Sequence, residues 1–410
     1  MRSSTATVIA VVCQGGSGCH VAAANFAYFA KPFSKADRCM VVSNDAGVAN
    51  LKKLFGVKDQ PDQLQVYDRT VHVASLESLD SETEVLEYVQ VICGDVPIQA
   101  EMVSSAKRLY LGLCHQPIHP IFGINLGYGE GRKGVTVYQG PTLPLASVAA
   151  SFGYQQFKDA LQKPFGLVYF TANTLREEDQ AETESKDKQR AKINPSIAPD
   201  FIKDYLKIAE HFKVKAASYI IVGDIEYALK GIKGYTQSST IKIKTINLFD
   251  LDQGQQFHYE NGNETGSVDI FLTASFPHSS LRTLMQGAMT FVGMTGVQSM
   301  IEATGFGKIS LFQYLKHNQE FSQSYYKEMK DCKGMEQLCW KQRMESECIQ
   351  QVITNLNDDV WRSKASAENA RLVAEGRKKA ELAIQHFFSP YDAEKEQMGQ
   401  QNKEKMAKTF

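Results

Sequence analysis

The passage from Thr5 to Phe33 constrains the fold most. Thr5 to Cys13 is a β-branched, apolar run, Gln14-Gly15-Gly16-Ser17-Gly18 breaks it, and His20 to Phe33 follows as an Ala- and aromatic-rich helical stretch. A strand that turns through glycines directly into a helix is the first half of a parallel crossover unit. The signal then repeats. Arg38 to Asn44 reads as a strand with Asp45 at its C-terminal end, and Ala46 to Phe55 carries helical periodicity. Further strands are predicted at Gln63 to Tyr67, Val71 to Ser75, Val89 to Cys93 and Arg108 to Cys114, with Gly134 to Tyr138 closing the first sheet. This alternation points to a parallel sheet with crossover helices.

A second set begins at Phe165 to Thr171. The stretch from Leu175 to Pro195, dense in charged and Gln residues, reads as a solvated loop, and a helix is predicted from about Pro199 to His211. Ala217 to Val222, Thr240 to Leu248 and Val268 to Thr273 read as strands, with a helix from Ile225 and a polar loop from Gly254 to Gly266. A chain of 410 residues is too long for one core and suits two α/β domains. Both halves look doubly wound, so the expected class is α/β with two Rossmann-like lobes. The predicted division is 1–164, 165–365, a long helix at 366–388 and a flexible charged tail at 389–410.

Charge and apolar patterning narrow the partners. Lys and Arg total 45 against 46 Asp and Glu, a net charge of -1, so no global field favours nucleic acid or an anionic membrane. No run approaches the roughly 20 apolar residues of a spanning helix, and a cytoplasmic protein is expected. Eight cysteines over this length are too few for a disulfide framework and read as reduced core thiols. Cys332, Cys339 and Cys348 lack the spacing of zinc pairs.

Two stretches carry chemistry. In Gln14-Gly15-Gly16-Ser17-Gly18-Cys19-His20 the glycines admit close backbone approach, and the following helix N-terminus suits phosphate or a developing oxyanion. A neutral imidazole at that position, His20, suits general-base work on a hydroxyl; it also suits capping or packing. The segment resembles the GGxGGH loop of GT-B glycosyltransferases, among them the N-acetylglucosaminyltransferase of lipid II synthesis, with Cys19 replacing the last glycine. The resemblance implies an acceptor-side role for Gly15, Gly16, Ser17, Gly18 and His20. It also implies two lobes with a cleft between them and a C-terminal helix crossing back.

The second stretch runs from Ser275-Phe276-Pro277-His278 through Phe291-Val292-Gly293 and resembles that family's strand, short helix and strand. Met294-Thr295-Gly296-Val297-Gln298-Ser299-Met300-Ile301-Glu302-Ala303, followed by Gly307-Lys308-Ile309, resembles G-x-x-S-x-x-E-A-x-x-x-G-x-P with Ile309 for the proline. The resemblance implies that Thr295, Gly296 and Ser299 hold a donor phosphate at the helix N-terminus and that Glu302 accepts both ribose hydroxyls. His317, with Asn318 after it, stands where the family places a donor-contacting loop residue. Phe321 and Ser322 replace the family's glutamine pair, and Tyr169-Phe170-Thr171-Ala172-Asn173-Thr174 stands where relatives carry a Gly-rich loop.

Other candidates stay open beside their plainer readings. Asp45, Asp95 and Glu101 are alternative bases or structural caps. His115 and His119 are cleft residues or part of a proline turn, and 127–133 is an anion clamp or a hairpin. Asp250-Leu251-Asp252 is a metal motif in another glycosyltransferase fold but opens a polar loop here, so no metal is expected. The function expected is an inverting transfer of a sugar from a nucleotide-sugar to an unknown glycan, lipid-linked or protein acceptor. No cofactor is expected beyond the donor, and no nucleic acid. The alternatives are a non-catalytic GT-B-like binding protein, a nucleotide-sugar epimerase, or a dinucleotide enzyme, the last weakened by Val21 where a small residue is required.

Overall fold

The computed structural model describes residues 6–13, 17–33, 37–55, 62–75, 83–92, 107–113, 123–126, 135, 142–171, 197–237, 243–250, 255–259, 267–314 and 318–388. The chain divides into two compact units. One comprises Met1–Lys53, Val57–Tyr138 and Glu375–Phe410, the other Leu54–Gly56 and Gln139–Ala374.

The first unit holds β1 (Ala6–Cys13), β2 (Arg38–Ser43), β3 (Gln63–Val66), β4 (Arg69–Ser75), β5 (Thr83–Ile92), β6 (Lys107–Leu113) and β7 (Gly123–Leu126). Their order is β3-β4-β2-β1-β5-β6-β7, parallel throughout except for the β3/β4 hairpin at one edge. The chain winds outward from β1 to β4 and returns to β5 on the other side of β1. The winding therefore reverses between β1 and β5, as in a Rossmann-like sheet. Helix α1 (Ser17–Ala30) is buried from His20 to Ala30. Ala22, Ala23, Ala24, Ala27 and Ala30 let its backbone approach its neighbours closely, and Phe26 packs on Phe388 with ring centroids 6.4 Å apart. Helix α2 (Asp45–Phe55) buries Gly47 and Leu51 and exposes much of its remaining surface.

The second unit holds β8 (Phe165–Tyr169), β9 (Ser218–Val222), β10 (Ile243–Asp250), β11 (Gln255–Tyr259), β12 (Val268–Thr273), β13 (Phe291–Thr295), β14 (Ile309–Gln313) and β15 (Cys339–Trp340). The order is β11-β10-β12-β9-β8-β13-β14-β15, with only the β10/β11 pair antiparallel. Strands β9, β13 and β14 are buried along their whole length, as expected of parallel strands covered on both faces. The helices are α3 (Leu145–Phe152), α4 (Gln155–Leu161), α5 (Ile197–Glu210), α6 (Ile225–Thr236), α7 (His278–Gly287), α8 (Val297–Gly305), α9 (Gln319–Glu328) and α10 (Ser346–Asn357). Helix α11 (Asp359–Phe388) belongs to this unit through Ala374 and to the first from Glu375.

Here the winding reverses between β8 and β13, which share a single register pair, Val168 with Gly293. Two glycines keep this junction closely packed. A Cβ on Gly166 would stand 2.5 Å from the Tyr219 ring, and one on Gly293 would stand 3.2 Å from Tyr205. The space they leave is filled by Tyr205 of α5, which stacks on Phe291 at 5.0 Å and donates its hydroxyl to the Phe291 carbonyl at 3.2 Å.

Several sequence expectations change. The stretch read as a polar loop contains β11, whose backbone pairs with β10 at the sheet edge whatever the polarity of its side chains. Helix α1 starts at Ser17, α11 starts at Asp359, and α3 and α4 were not anticipated. Of the strand predicted at 134–138 only Val135 is described, and its amide donates to the Gly376 carbonyl; the other four residues lie outside the described ones. Among the described residues no helix is long and apolar enough to cross a membrane.

Candidate functional site

Open α/β sheets bind ligands outside the carboxyl ends of their strands, where the winding reverses. In the second unit that place lies beyond Tyr169 of β8 and Thr295 of β13. Strand β13 runs directly into α8 through Gly296, which sits at φ 76°, a backbone conformation that glycine alone adopts without strain. Glycine also leaves the approach open, since a Cβ there would meet nothing within 4 Å. Among the described residues no side chain caps the helix, and its first backbone bond runs from the Met300 amide to the Gly296 carbonyl at 3.1 Å. The amides of Val297, Gln298 and Ser299 therefore precede the intrahelical ladder and concentrate the positive end of the helix dipole. Beside them the Thr295 hydroxyl is buried, with no hydrogen-bond partner among the described residues. Leaving such a group unpaired costs about 1–3 kcal/mol, a cost that a ligand oxygen relieves.

Glu302 lies further along the same helix, 1% exposed. Its Oε1 accepts from His278 Nε2 at 2.7 Å and from Gln298 Nε2 at 3.1 Å. Burial by itself raises a carboxyl pKa. The nearby His278 charge and hydrogen bond, the Arg282 guanidinium and the Gln298 amide outweigh it and hold Glu302 below the usual carboxylate range. His278 and Arg282 stand four residues apart on α7, as Gln298 and Glu302 do on α8, so α7 sets two side chains and α8 one beside the carboxylate. At the end of β8, Tyr169 has its pKa raised by burial and by the Glu302 charge, which places that charge at the reversal point. Gln313, at the end of β14, reaches past β13 to Thr171: its Oε1 accepts from the Thr171 amide and its Nε2 donates to the Thr171 carbonyl, both at 3.3 Å. This two-point hold fixes the chain as it leaves β8.

No family model and no curated protein matches the chain. Among solved structures it aligns with a Listeria monocytogenes protein assigned as a UDP-N-acetylglucosamine 2-epimerase, over 95% of this chain and 97% of that one, at 9% identity and a TM-score of 0.47. It also aligns with a trehalose 6-phosphate synthase from Burkholderia multivorans, over 95% and 99% of the two chains, at 8% identity and a TM-score of 0.43. A family 9 glycosyl transferase from Veillonella parvula aligns over 89% and 99%, at 10% identity and a TM-score of 0.41. At these identities and scores the likenesses assign no activity to this chain.

In the first unit His20 is 2% exposed and both ring nitrogens are engaged. The Ser43 hydroxyl donates to the Cys13 carbonyl at 2.6 Å, so its oxygen is left to accept from His20 Nε2 at 3.4 Å. The Asn50 amide donates to Nδ1 at 3.2 Å. This network assigns the proton to Nε2 and ties up the lone pair that a general base needs. Gly47 closes over the pair, since a Cβ there would lie 2.0 Å from Ser43 Oγ and 2.8 Å from His20 Nε2.

Ser17 and Gly18 are the first residues of α1. Asp45 opens α2 and is exposed. Thr295, Gly296, Ser299 and Glu302 are brought together at the β13/α8 junction, while Asn318 is buried at the start of α9 and its carbonyl accepts from Ser322 Oγ at 3.0 Å. Gly15, Gly16, Asp95, Glu101, His115, His119, 127–133, 251–252 and His317 lie outside the described residues. The Glu302 carboxylate is buried, and its Oε1 accepts from two donors. His278 and Gln313 escaped the sequence reading as site residues. The one signal available was the match of spacing between His278 and Arg282 and between Gln298 and Glu302.

Proposed function

We propose that the chain is a glycosyltransferase of GT-B type that binds a nucleotide-sugar at the carboxyl edge of the second sheet and passes the sugar, with inversion, to an acceptor hydroxyl. The observation that carries this reading is the start of α8: three amides ahead of the intrahelical ladder, an unobstructed Gly296 and a buried Thr295 hydroxyl with no partner among the described residues, all at a winding reversal. These groups suit a donor diphosphate, with Ser299 in the same turn and the Glu302 cluster placed for the ribose. His317 and Asn318 belong to the donor side by the sequence resemblance alone, and so do Gly15 to Gly18 to the acceptor side.

In the transfer the acceptor oxygen attacks the anomeric carbon and its proton passes to a base. The bond to the diphosphate breaks, and its electron pair leaves on the nucleotide, where helix amides stabilise the charge without a bound metal. Asp45, Asp95 and His20 are the candidate bases. His20 serves only after Asn50 releases Nδ1, whereas Asp45 is exposed and has no partner among the described residues. That engagement of His20 favours a second reading, a binding protein that holds the nucleotide without turnover.

Thermal shift against a panel of nucleoside diphosphates and their sugar conjugates tests the proposal, because a ligand of the native state raises its apparent stability. A nucleotide-selective shift that Thr295→Val weakens is the expected result. The absence of a shift with every diphosphate in folded protein contradicts it. Release of nucleoside diphosphate with acceptor present then separates transferase from binding protein, and release of free sugar without acceptor identifies an epimerase.

A further inference from the structure

Strand β8 lies beside β13 with a single register pair, Val168 with Gly293, so three residues on from each, Thr171 and Gly296 stand at the same level of the sheet. Past Tyr169 the chain keeps its ladder with β9, the Phe170 amide donating to the Val222 carbonyl at 3.1 Å. Thr171 then turns its amide and carbonyl to the other side, where both meet the side chain of Gln313. Its Oε1 accepts from the amide and its Nε2 donates to the carbonyl, each at 3.3 Å. A backbone amide only donates and a carbonyl only accepts, so these partners fix the orientation of the Gln313 amide. The bridge spans the end of β13, because Gln313 belongs to β14 and stands in register with Thr295.

Residues in register on neighbouring strands turn their side chains to the same face. Gln313, 0% exposed, and Thr295, 3% exposed, therefore share one face at the carboxyl edge of the sheet. The Thr295 hydroxyl is buried there and has no hydrogen-bond partner among the described residues. Beside it the space at Gly296 is open, since a Cβ would meet nothing within 4 Å.

We infer that Gln313 is a positioning residue of the donor site: it holds Thr171 level with Gly296, so that the start of α8 and the Thr295 hydroxyl stay open to a phosphoryl group of the bound nucleotide. The inference rests on the donor-site reading above. A chain free to move as it leaves β8 would close that space, and the two-point hold on its first residue prevents it. Gln313 acts through the Thr171 backbone. By reciprocity, a hold that favours phosphate binding is itself strengthened when phosphate binds.

Two substitutions and one measurement on the wild type test this. Gln313→Met keeps the length of the side chain and removes both hydrogen bonds. Gln313→Glu keeps its shape; as a carboxylate it accepts from the Thr171 amide and repels the Thr171 carbonyl, and once protonated it also donates, which restores both bonds. Affinities for the nucleoside diphosphate that the wild-type protein selects, and for inorganic pyrophosphate, are measured by titration calorimetry. The measurements are made at about pH 5 and about pH 8, on either side of the range to which burial raises a carboxyl pKa, each variant against the wild type at the same pH.

Gln313→Met is expected to bind both ligands about fivefold or more weakly at either pH, the scale of a lost hydrogen bond. Gln313→Glu is expected to match that loss at the higher pH and to recover most of it at the lower, a pattern that a glutamine serving only to pack the sheet does not produce. In the wild type, saturation with the nucleoside diphosphate is expected to slow hydrogen exchange at the Thr171 amide. Unchanged affinity in folded Gln313→Met, a loss in Gln313→Glu that low pH does not recover, or unchanged exchange at Thr171 overturns the inference and leaves the donor site standing. The last of these needs no variant to fold. A folded wild-type protein that binds neither nucleotide nor pyrophosphate removes the site and the inference together.

Discussion

Gly47→Ala gives a test in which the sign of the effect decides the matter. In an exposed helix this replacement stabilises by up to about 1 kcal/mol, because glycine is the poorer helix former. At position 47 the added methyl would stand 2.0 Å from Ser43 Oγ and 2.8 Å from both Ser43 Cβ and His20 Nε2. Relief requires the Ser43 hydroxyl to swing away, losing its bond to the Cys13 carbonyl and the contact that pairs it with the buried His20 Nε2. The lost bond to the Cys13 carbonyl is worth about 1 kcal/mol, and disrupting the buried Ser43–His20 pair costs about 1–3 kcal/mol. Less the helix gain, the net is a destabilisation of about 1–3 kcal/mol, or roughly 2–10 °C in melting temperature for a unit of this size. Urea and thermal unfolding followed by far-UV circular dichroism measure it. A Gly47→Ala protein as stable as the wild type, or more stable, refutes the packing described around His20.

Further predictions concern the second unit. His278→Ala leaves a buried carboxylate without its main partner and is expected to cost about 3–5 kcal/mol by urea unfolding. Glu302 titrates below its ordinary value of 4.5, so its contribution is complete above pH 4.5 and is lost as pH falls through the lower folded value; Glu302→Gln should flatten that part of the acid unfolding curve. Burial pushes the Lys308 ammonium down to about 8 from 10.5, even as it donates to the Ala288 carbonyl at 2.6 Å. Between those values the unfolded chain binds more protons, so this term raises stability as pH increases. Lys308→Met should remove a rise of about 3 kcal/mol between pH 8 and 10.5, read as the difference between the two proteins' unfolding curves.

The sequence pattern was informative where burial is uniform. Ser218–Val222, Phe291–Thr295 and Ile309–Gln313 are short apolar strands flanked by helices, and a parallel sheet follows from them. It was uninformative at Gln255–Tyr259, which forms a strand through backbone pairing despite polar side chains. The start of α8 was legible because a helix N-terminus and a glycine act locally. The Glu302 cluster was not, since His278 lies 24 residues away and only the fold brings the two helices together. His20 was found by its place at the start of a helix, but its partners Ser43 and Asn50 are 23 and 30 residues distant, and they turn an apparently available base into an engaged one.

The central claim is that a nucleotide binds where β13 meets α8. Amide hydrogen exchange read by mass spectrometry, with and without saturating nucleoside diphosphate, tests it most directly. The account predicts slowed exchange at Val297, Gln298 and Ser299 and at Thr171, abolished or weakened in Thr295→Val. Saturated protein with no protection there, or with protection confined to another part of the chain, contradicts it.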